Sequence, residues 1–315
     1  MISRLNLDPG PARLSTPVHS AENGVEPKSV TMSLPAQTRE ISLSTTAGAG
    51  HIEVNFVSGQ STVTSAYARS PLKFLIPRPR GPSAWIYLSS FGGGLVAGDE
   101  LRLAINLGAQ SRCFFTTQAS TKVYRNPAGL PCGHTLQASL GAGSQLALLP
   151  EPVQAFAGSH YKQSQEFHLA HGSSLVLVDW LCCGRLARGE RWAFTRFESR
   201  NEVFLDSERL LFDSLLLEPA DGALDSPHRL GRFNCLALML VLGEPLREAA
   251  ARVLEDGKDQ PITPRASLVC SLSPVRGGAL LRAAGERLED VARELRRRLA
   301  FLTNLIGDDP WARKW

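Results

Sequence analysis

Leu101-Arg102-Leu103-Ala104-Ile105-Asn106-Leu107 places a large aliphatic residue at every second position. An extended chain points successive side chains to opposite faces, so Leu101, Leu103, Ile105 and Leu107 share one side, and Arg102, Ala104 and Asn106 the other. Such a heptapeptide is a strand with one buried face. Working outward, His51-Ile52-Glu53-Val54-Asn55-Phe56 repeats the pattern. The same period, or β-branched and aromatic enrichment, predicts strands over 62–67, 72–76, 84–90, 112–118, 135–140 and 145–149. Further strands are predicted over 161–169, 174–180, 192–199, 202–205 and 209–217. Turn clusters such as Asn126-Pro127-Ala128-Gly129 and Gly141-Ala142-Gly143 separate several of them. Short strands at this spacing predict a mainly β fold, either a β-helix-like stack or a sandwich, and not a helix-interleaved parallel sheet.

Helical signals come only late. Residues 244–256 carry Pro245 in a first turn, where its missing N–H costs nothing, and Gly257 lies at the end. Residues 285–306 set Leu288, Val291, Leu295, Leu299, Leu302 and Leu305 on one stripe, and Gly307 then Pro310 stop the helix. Between these helices, 267–272 and 279–282 read as short strands. The apolar run 233–242 is taken as a strand from its length and flanking glycines. The expected organisation is a disordered lead-in over 1–47, rich in Ser, Pro, Ala and Thr, then one domain over 48–315. Within that domain a β stack fills about 48–220, and a small α/β part with the helices fills about 228–308.

Hydrophobic residues make up 43% and charged residues 20% of the 315, with a net charge of +4. That balance builds a sizeable core and offers no electrostatic case for nucleic acid. The arginine-dense segment 293–298 sits among acids on a predicted helix and reads as a solvated face. Six cysteines lack any C-x-x-C spacing, and no stretch of 18 apolar residues exists. Together these predict a cytoplasmic chain with reduced thiols and no membrane anchor. No G-x-S-x-G, H-E-x-x-H or comparable catalytic signature occurs.

Phe91-Gly92-Gly93-Gly94-Leu95-Val96-Ala97-Gly98-Asp99-Glu100 invites a nucleotide reading, because Gly93 and Gly98 have P-loop spacing. A P-loop continues with Lys and Ser or Thr to hold phosphate and magnesium. Here Asp99 and Glu100 take those places and would repel phosphate. A dinucleotide loop must open a helix, whereas a strand pattern follows. The glycines instead suit a tight connection between strands, with Asp99 either accepting turn N–H groups or offering oxygen to a cation.

The stretch from Gly92 to Asp99, followed by Thr116-Thr117-Gln118-Ala119-Ser120-Thr121-Lys122-Val123-Tyr124, resembles the signature of the urease accessory protein D (UreD) family. Leu149-Pro150-Glu151-Pro152-Val153-Gln154-Ala155-Phe156 resembles that family's proline-bracketed segment. Asp179-Trp180, Gly184-Arg185 and Gly189-Glu190-Arg191-Trp192 resemble its G-R…G-E block. The blocks keep their order over roughly 50–305. Departures are the lead-in, the Cys182-Cys183 pair, and Gln154-Ala155 where an apolar–proline pair is expected. The resemblance implies a β-rich fold and a non-catalytic scaffold that bridges the urease apoprotein to a helical accessory protein and a nickel-carrying GTPase. It implies no tightly bound cofactor, only transient nickel.

A passage for a divalent ion needs carboxylates, carbonyls and water, because a bare charge in low dielectric is prohibitive. Oxygen donors release an ion more readily than a closed Cys or His cage. The acids within the motifs are Asp99, Glu151, Asp179 and Glu190, and they are the candidate lining. The competing reading has Asp99 and Glu190 capping turns and Asp179 paired with Arg185 or Arg188. Thr116, Thr117 and Gln118, with Lys122 and Tyr124, form either a buried hydrogen-bond ladder or a docking surface. Lys122 and Arg125 are expected outside. His168 and His171, three apart on a strand end, face opposite ways and do not chelate. Cys182-Cys183 reads as core, with nickel binding as the alternative. The segment 311–315 either docks to a partner or packs on the long helix. A β-stack protein-binding module without a metal role is the remaining alternative for the whole chain.

Overall fold

The structure, a computed structural model, describes residues 47–79, 81–258 and 263–312. The lead-in expected before residue 47 lies outside the described residues.

Seventeen strands are described. The first half holds β1 (Ala49–Val57), β2 (Gln60–Ala68), β3 (Leu72–Leu75), β4 (Ala84–Ser90), β5 (Glu100–Leu107), β6 (Arg112–Thr117), β7 (Thr121–Val123), β8 (Cys132–Leu140) and β9 (Gln145–Leu148). Then come β10 (Val153–Ala155), β11 (His160–Leu169), β12 (Ser174–Cys182), β13 (Arg196–Leu205), β14 (Glu208–Leu217), β15 (Cys235–Leu242), β16 (Leu268–Val275) and β17 (Gly278–Gly285). Three α-helices follow late: α1 (Arg247–Lys258), α2 (Leu288–Arg298) and α3 (Leu302–Ile306).

The strands form two sheets, in the orders β14-β13-β11-β8-β5-β1-β2 and β16-β17-β15-β12-β9-β6-β4-β3. In the middle the chain alternates between them, one strand each: β4 to β5, β6 to β8, β9 to β11 and β12 to β13. Neighbouring strands within each sheet are therefore parallel, as in β5·β8·β11·β13 and β4·β6·β9·β12. That is a two-sheeted β-solenoid. Antiparallel strands close both ends, with β2 and β3 at one and β14, β15, β17 and β16 at the other. The fold is mainly β with a small helical C-terminal part.

The inward face of the opening heptapeptide packs where its period predicts. Leu103, Ile105 and Leu107 meet Leu136, Ala138, Phe167, Leu175, Leu177 and Val203 between the sheets. The helices cover the other face of the second sheet. Val176, Val178 and Trp180 of β12 pack there with Val291, Leu295 and Leu302. This burial on both faces explains why 174–182 and 235–242 read as near-continuous apolar runs.

Several element boundaries differ from expectation. The strand expected over 192–199 begins only at Arg196 and joins 202–205 in one strand, β13, because Asn201 points inward and continues the alternation. The helix expected over 285–306 begins at Leu288 and breaks after Arg298, and Gly285 belongs to β17, where a Cβ would strike Val291. The helix expected to stop at Gly257 runs through it to Lys258, with Gly257 close against the Leu272 side chain. Strands β7 and β10 went unanticipated, being three residues each.

Candidate functional site

The threonines of 116–121 and the proline-bracketed segment meet at a gap in the second sheet. β9 pairs with Ser174–Leu177 of β12, and β10 pairs with Leu181 and Cys182. Between these stretches, among the described residues, no strand pairs with Val178, Asp179 and Trp180 on that side. The chain crosses there as Leu149-Pro150-Glu151-Pro152, whose prolines bring no N–H to a ladder. Side chains supply what the ladder lacks. Thr116 Oγ1 donates to the Leu149 carbonyl at 2.6 Å, Thr117 Oγ1 accepts the Glu151 N–H at 2.8 Å, and Trp180 Nε1 donates to the Pro150 carbonyl at 2.8 Å.

Behind this gap, between the sheets, lies a cavity of about 60 Å³. Its polar lining includes Thr117, His134, Glu151, Gln163, Gln165 and Asp179; leucines, Phe115 and Val153 make up much of the rest. The volume suits a few waters. A second cavity of about 160 Å³ lies on the helix side of the same sheet, under Leu288, Ala292 and Trp311. Pro150, Glu151 and Trp180 border both cavities and form the wall between them.

One hydrogen-bonded network crosses the interior to Asp179. Its Oδ2 accepts from Ser199 Oγ at 2.6 Å and from Asn201 Nδ2 at 2.8 Å. Gln163 Nε2 donates to Ser199 Oγ at 3.1 Å, and Gln165 Nε2 donates to Asn201 Oδ1 at 3.0 Å. Tyr161 Oη donates to Gln163 Oε1 at 3.1 Å and lies 2.8 Å from His134 Nδ1. Burial pushes His134 down to about 4, with Asp179 pulling it partly back. Burial, reinforced by Asp179, also drives the Tyr161 phenol well above its ordinary value. Asp179 thus pairs with a hydroxyl and an amide, which corrects the expectation that it pairs with Arg185 or Arg188.

Asp99 and Glu190 sit apart from this cavity. Asp99 Oδ2 accepts the Val96 N–H at 2.8 Å and so closes the glycine turn. Glu190 holds Arg185 in a two-point ion pair and accepts the Ala157 N–H at 3.1 Å. The hydrogen-bonded pairing lowers the Glu190 carboxyl and raises the Arg185 guanidinium, which also lies 4.2 Å over the Phe156 ring. Gly184 and Gly189, each directly before one member of this pair, take positive φ.

Gly92, Gly93 and Gly98 also take positive φ, and Gly94 lets Leu95 pair with β7. A Cβ on Gly94 would come within 2.5 Å of the Lys122 carbonyl. The glycine motif, β7, β10 and the end of β12 thereby form a short row of their own. Tyr124 packs edge-on against Phe156, Lys122 is exposed, and the Gln118 N–H donates to the Leu88 carbonyl. Cys182 and Cys183 are buried thiols, and burial pushes Cys183 up to about 11. His168 stacks on Phe204 at an exposed position. Trp311 packs back on α2, with Arg296 over its ring at 5.2 Å.

Sequence reasoning missed His134, Tyr161, Gln163, Gln165, Ser199 and Asn201. A signal existed. β11 keeps strict alternation, yet its inward positions run Tyr161, Gln163, Gln165, Phe167, so polarity enters a face that should be apolar. Among the described residues no three His, Cys, Asp or Glu side chains come together to hold a metal ion. Among them, too, no helix is long and apolar enough to cross a membrane.

Fold and site define a class, the β-solenoid with a polar layer enclosed between its sheets. The family model described as UreD urease accessory protein matches residues 47–315. "Urease accessory protein UreD" of Sorangium cellulosum is 48% identical over 270 residues, 85% of each chain. The protein of the same name in an Anaeromyxobacter strain is 43% identical over 85% of this chain and 89% of its own. "Urease accessory protein D" of Arabidopsis thaliana is 32% identical over 84% and 99%. The chain belongs to the UreD urease accessory protein family.

Proposed function

We propose that this chain is the scaffold of a cytoplasmic complex that inserts nickel into apo-urease, without a catalytic reaction of its own. It would join the urease apoprotein to a helical accessory protein and a nickel-carrying GTPase. Nickel, as cargo, passes through the solenoid interior by way of Asp179 and Glu151. The observation that carries this reading is the cavity: two carboxylates and two glutamine amides border a space with room for water, next to an apolar cluster between the sheets.

The physical case is one of solvation. A divalent cation crossing an apolar core loses hydration that nothing replaces, whereas carboxylates and ordered water offset that loss. A wall of oxygen donors with few ligands at any one point also lets the ion leave. Asp99 and Glu190 contribute through the shape of the partner-facing loops. Exposed Phe91, Val96 and Leu130 around the glycine turn offer apolar contact to such a partner.

The test is urease activation in cells at limiting nickel with Asp179→Asn and Glu151→Gln together. Activation should fall several-fold at limiting nickel and recover in excess nickel. Unchanged activation would refute the passage and favour a β-stack module that only holds partners together.

A further inference from the structure

The proposed passage leaves His134 without a role, although its ring lies at the end of the network that starts on Asp179. We infer that His134 is a nitrogen ligand for the divalent cation crossing the solenoid, and that Asp179 holds its ring, through Ser199, Gln163 and Tyr161, in the tautomer that leaves Nε2 bare. This rests on the passage proposed above and adds to it a named ligand and a device that presents it.

The direction of each hydrogen bond follows from the number of protons each group owns. The Asp179 carboxylate accepts only. Ser199 has one hydroxyl proton and gives it to Asp179 Oδ2. Ser199 must then accept from Gln163, which places the amide nitrogen of Gln163 toward Ser199 and its oxygen toward Tyr161. Tyr161 gives its one proton to that oxygen. The 2.8 Å approach of Tyr161 Oη to His134 Nδ1 now needs a proton from the ring. A neutral imidazole has one N–H, and here it is on Nδ1. Nε2 is left with a lone pair. Among the described residues no protein group bonds to Nε2, and none donates to Asp179 Oδ1.

His134 follows the inward phase of β8, whose next inward residues are Leu136, Ala138 and Leu140, and it lines the cavity with Asp179. An imidazole nitrogen suits nickel and discriminates against magnesium and calcium, which prefer oxygen. One nitrogen beside one carboxylate falls short of a three-ligand cage, in keeping with release of the ion. The tautomer device resembles the carboxylate that orients a metal-bound histidine at a fixed site, here with three side chains interposed. Tyr161, Gln163 and Ser199 are positioning residues.

The experiment uses the full chain labelled with ¹⁵N-histidine, with nickel ion alone as probe, below one equivalent. Without metal, long-range ¹⁵N–¹H correlation should show His134 protonated at Nδ1; a proton on Nε2 overturns the inference. With nickel, X-ray absorption at the metal edge should show imidazole scattering that survives His168→Gln and disappears in His134→Gln, whose amide can still donate to Tyr161. Scattering that persists in His134→Gln overturns it. Tyr161→Phe should weaken nickel binding about 10- to 100-fold while keeping the histidine, and unchanged binding refutes the positioning role. The two proposals fail separately. Loss of imidazole scattering in His134→Gln beside unchanged activation in the Asp179 and Glu151 variants would sink the passage and keep the ligand. Imidazole-free nickel beside impaired activation would do the reverse.

Discussion

The two ends of the solenoid interior are built from the same strands and have opposite chemistry. Toward one end, β11 and β13 contribute Phe167, Leu169 and Val203, which pack with Ile105, Leu140 and Leu175 in a dry core. Two and four residues earlier along the same strands, Gln165 and Asn201, then Gln163 and Ser199, take the same inward positions on the side of Asp179. The backbone ladder runs unbroken through both levels. Strand pairing is therefore indifferent to what fills the space between the sheets. The dry level is held by area removed from water. The polar level is held by donors and acceptors that close on one another, beside a cavity with room for water.

The sharpest way to break the comparison is in the dry level. Phe167→Ala, at a position with no exposure, should cost about 3–5 kcal/mol in denaturant unfolding, because the neighbouring strands cannot collapse into the space. A loss below about 1 kcal/mol would mean that the level is less tightly packed than described.

Thr116→Val comes next, since it strips the Leu149 carbonyl of its buried donor beside the gap. It should cost about 1–3 kcal/mol by the same measurement. Gln165→Met in the polar level removes the donor to Asn201 but leaves room for water to replace it, so about 1 kcal/mol is expected. A cost as large as that of Phe167→Ala would show that the network, not water, carries that level.

The smallest effect near neutrality is the pH dependence. His134 titrates near 6.5 when unfolded and about 4 when folded, so the unfolded chain binds the extra proton first. Stability should be flat above 6.5, fall as pH drops toward 4, and level off below. His134→Gln should reduce that slope. An unchanged slope in the variant would assign it to other groups.

Much of the fold was legible because period two is a local property. The inward leucines of β5 lie where alternation places them, and the glycine turn, Gly307 and the late helices were found from single residues. The gap in the second sheet was half legible: Pro150 and Pro152 announce a break in pairing, but nothing local says that Thr116 and Thr117 repair it from 33 and 34 residues away. Boundaries went astray at Gly257 and Gly285, where a glycine that looks like a terminus is a point of close packing.

The sequence by itself determined that this protein is mainly β, with helices only at its end, that its motifs are those of the UreD family, and that Asp99 closes a turn or offers an oxygen. All of these depend on neighbours along the chain. Only the tertiary structure decided that Glu151 and Asp179 border one cavity while Asp99 and Glu190 do not, and that Asp179 reaches Ser199 and not Arg185. It alone placed His134 at the far end of the same network. The reason is geometric. In a solenoid each turn of chain returns to the same interior some 30 residues later, so the contacts that create a polar site are set by the register between turns, which no local pattern records.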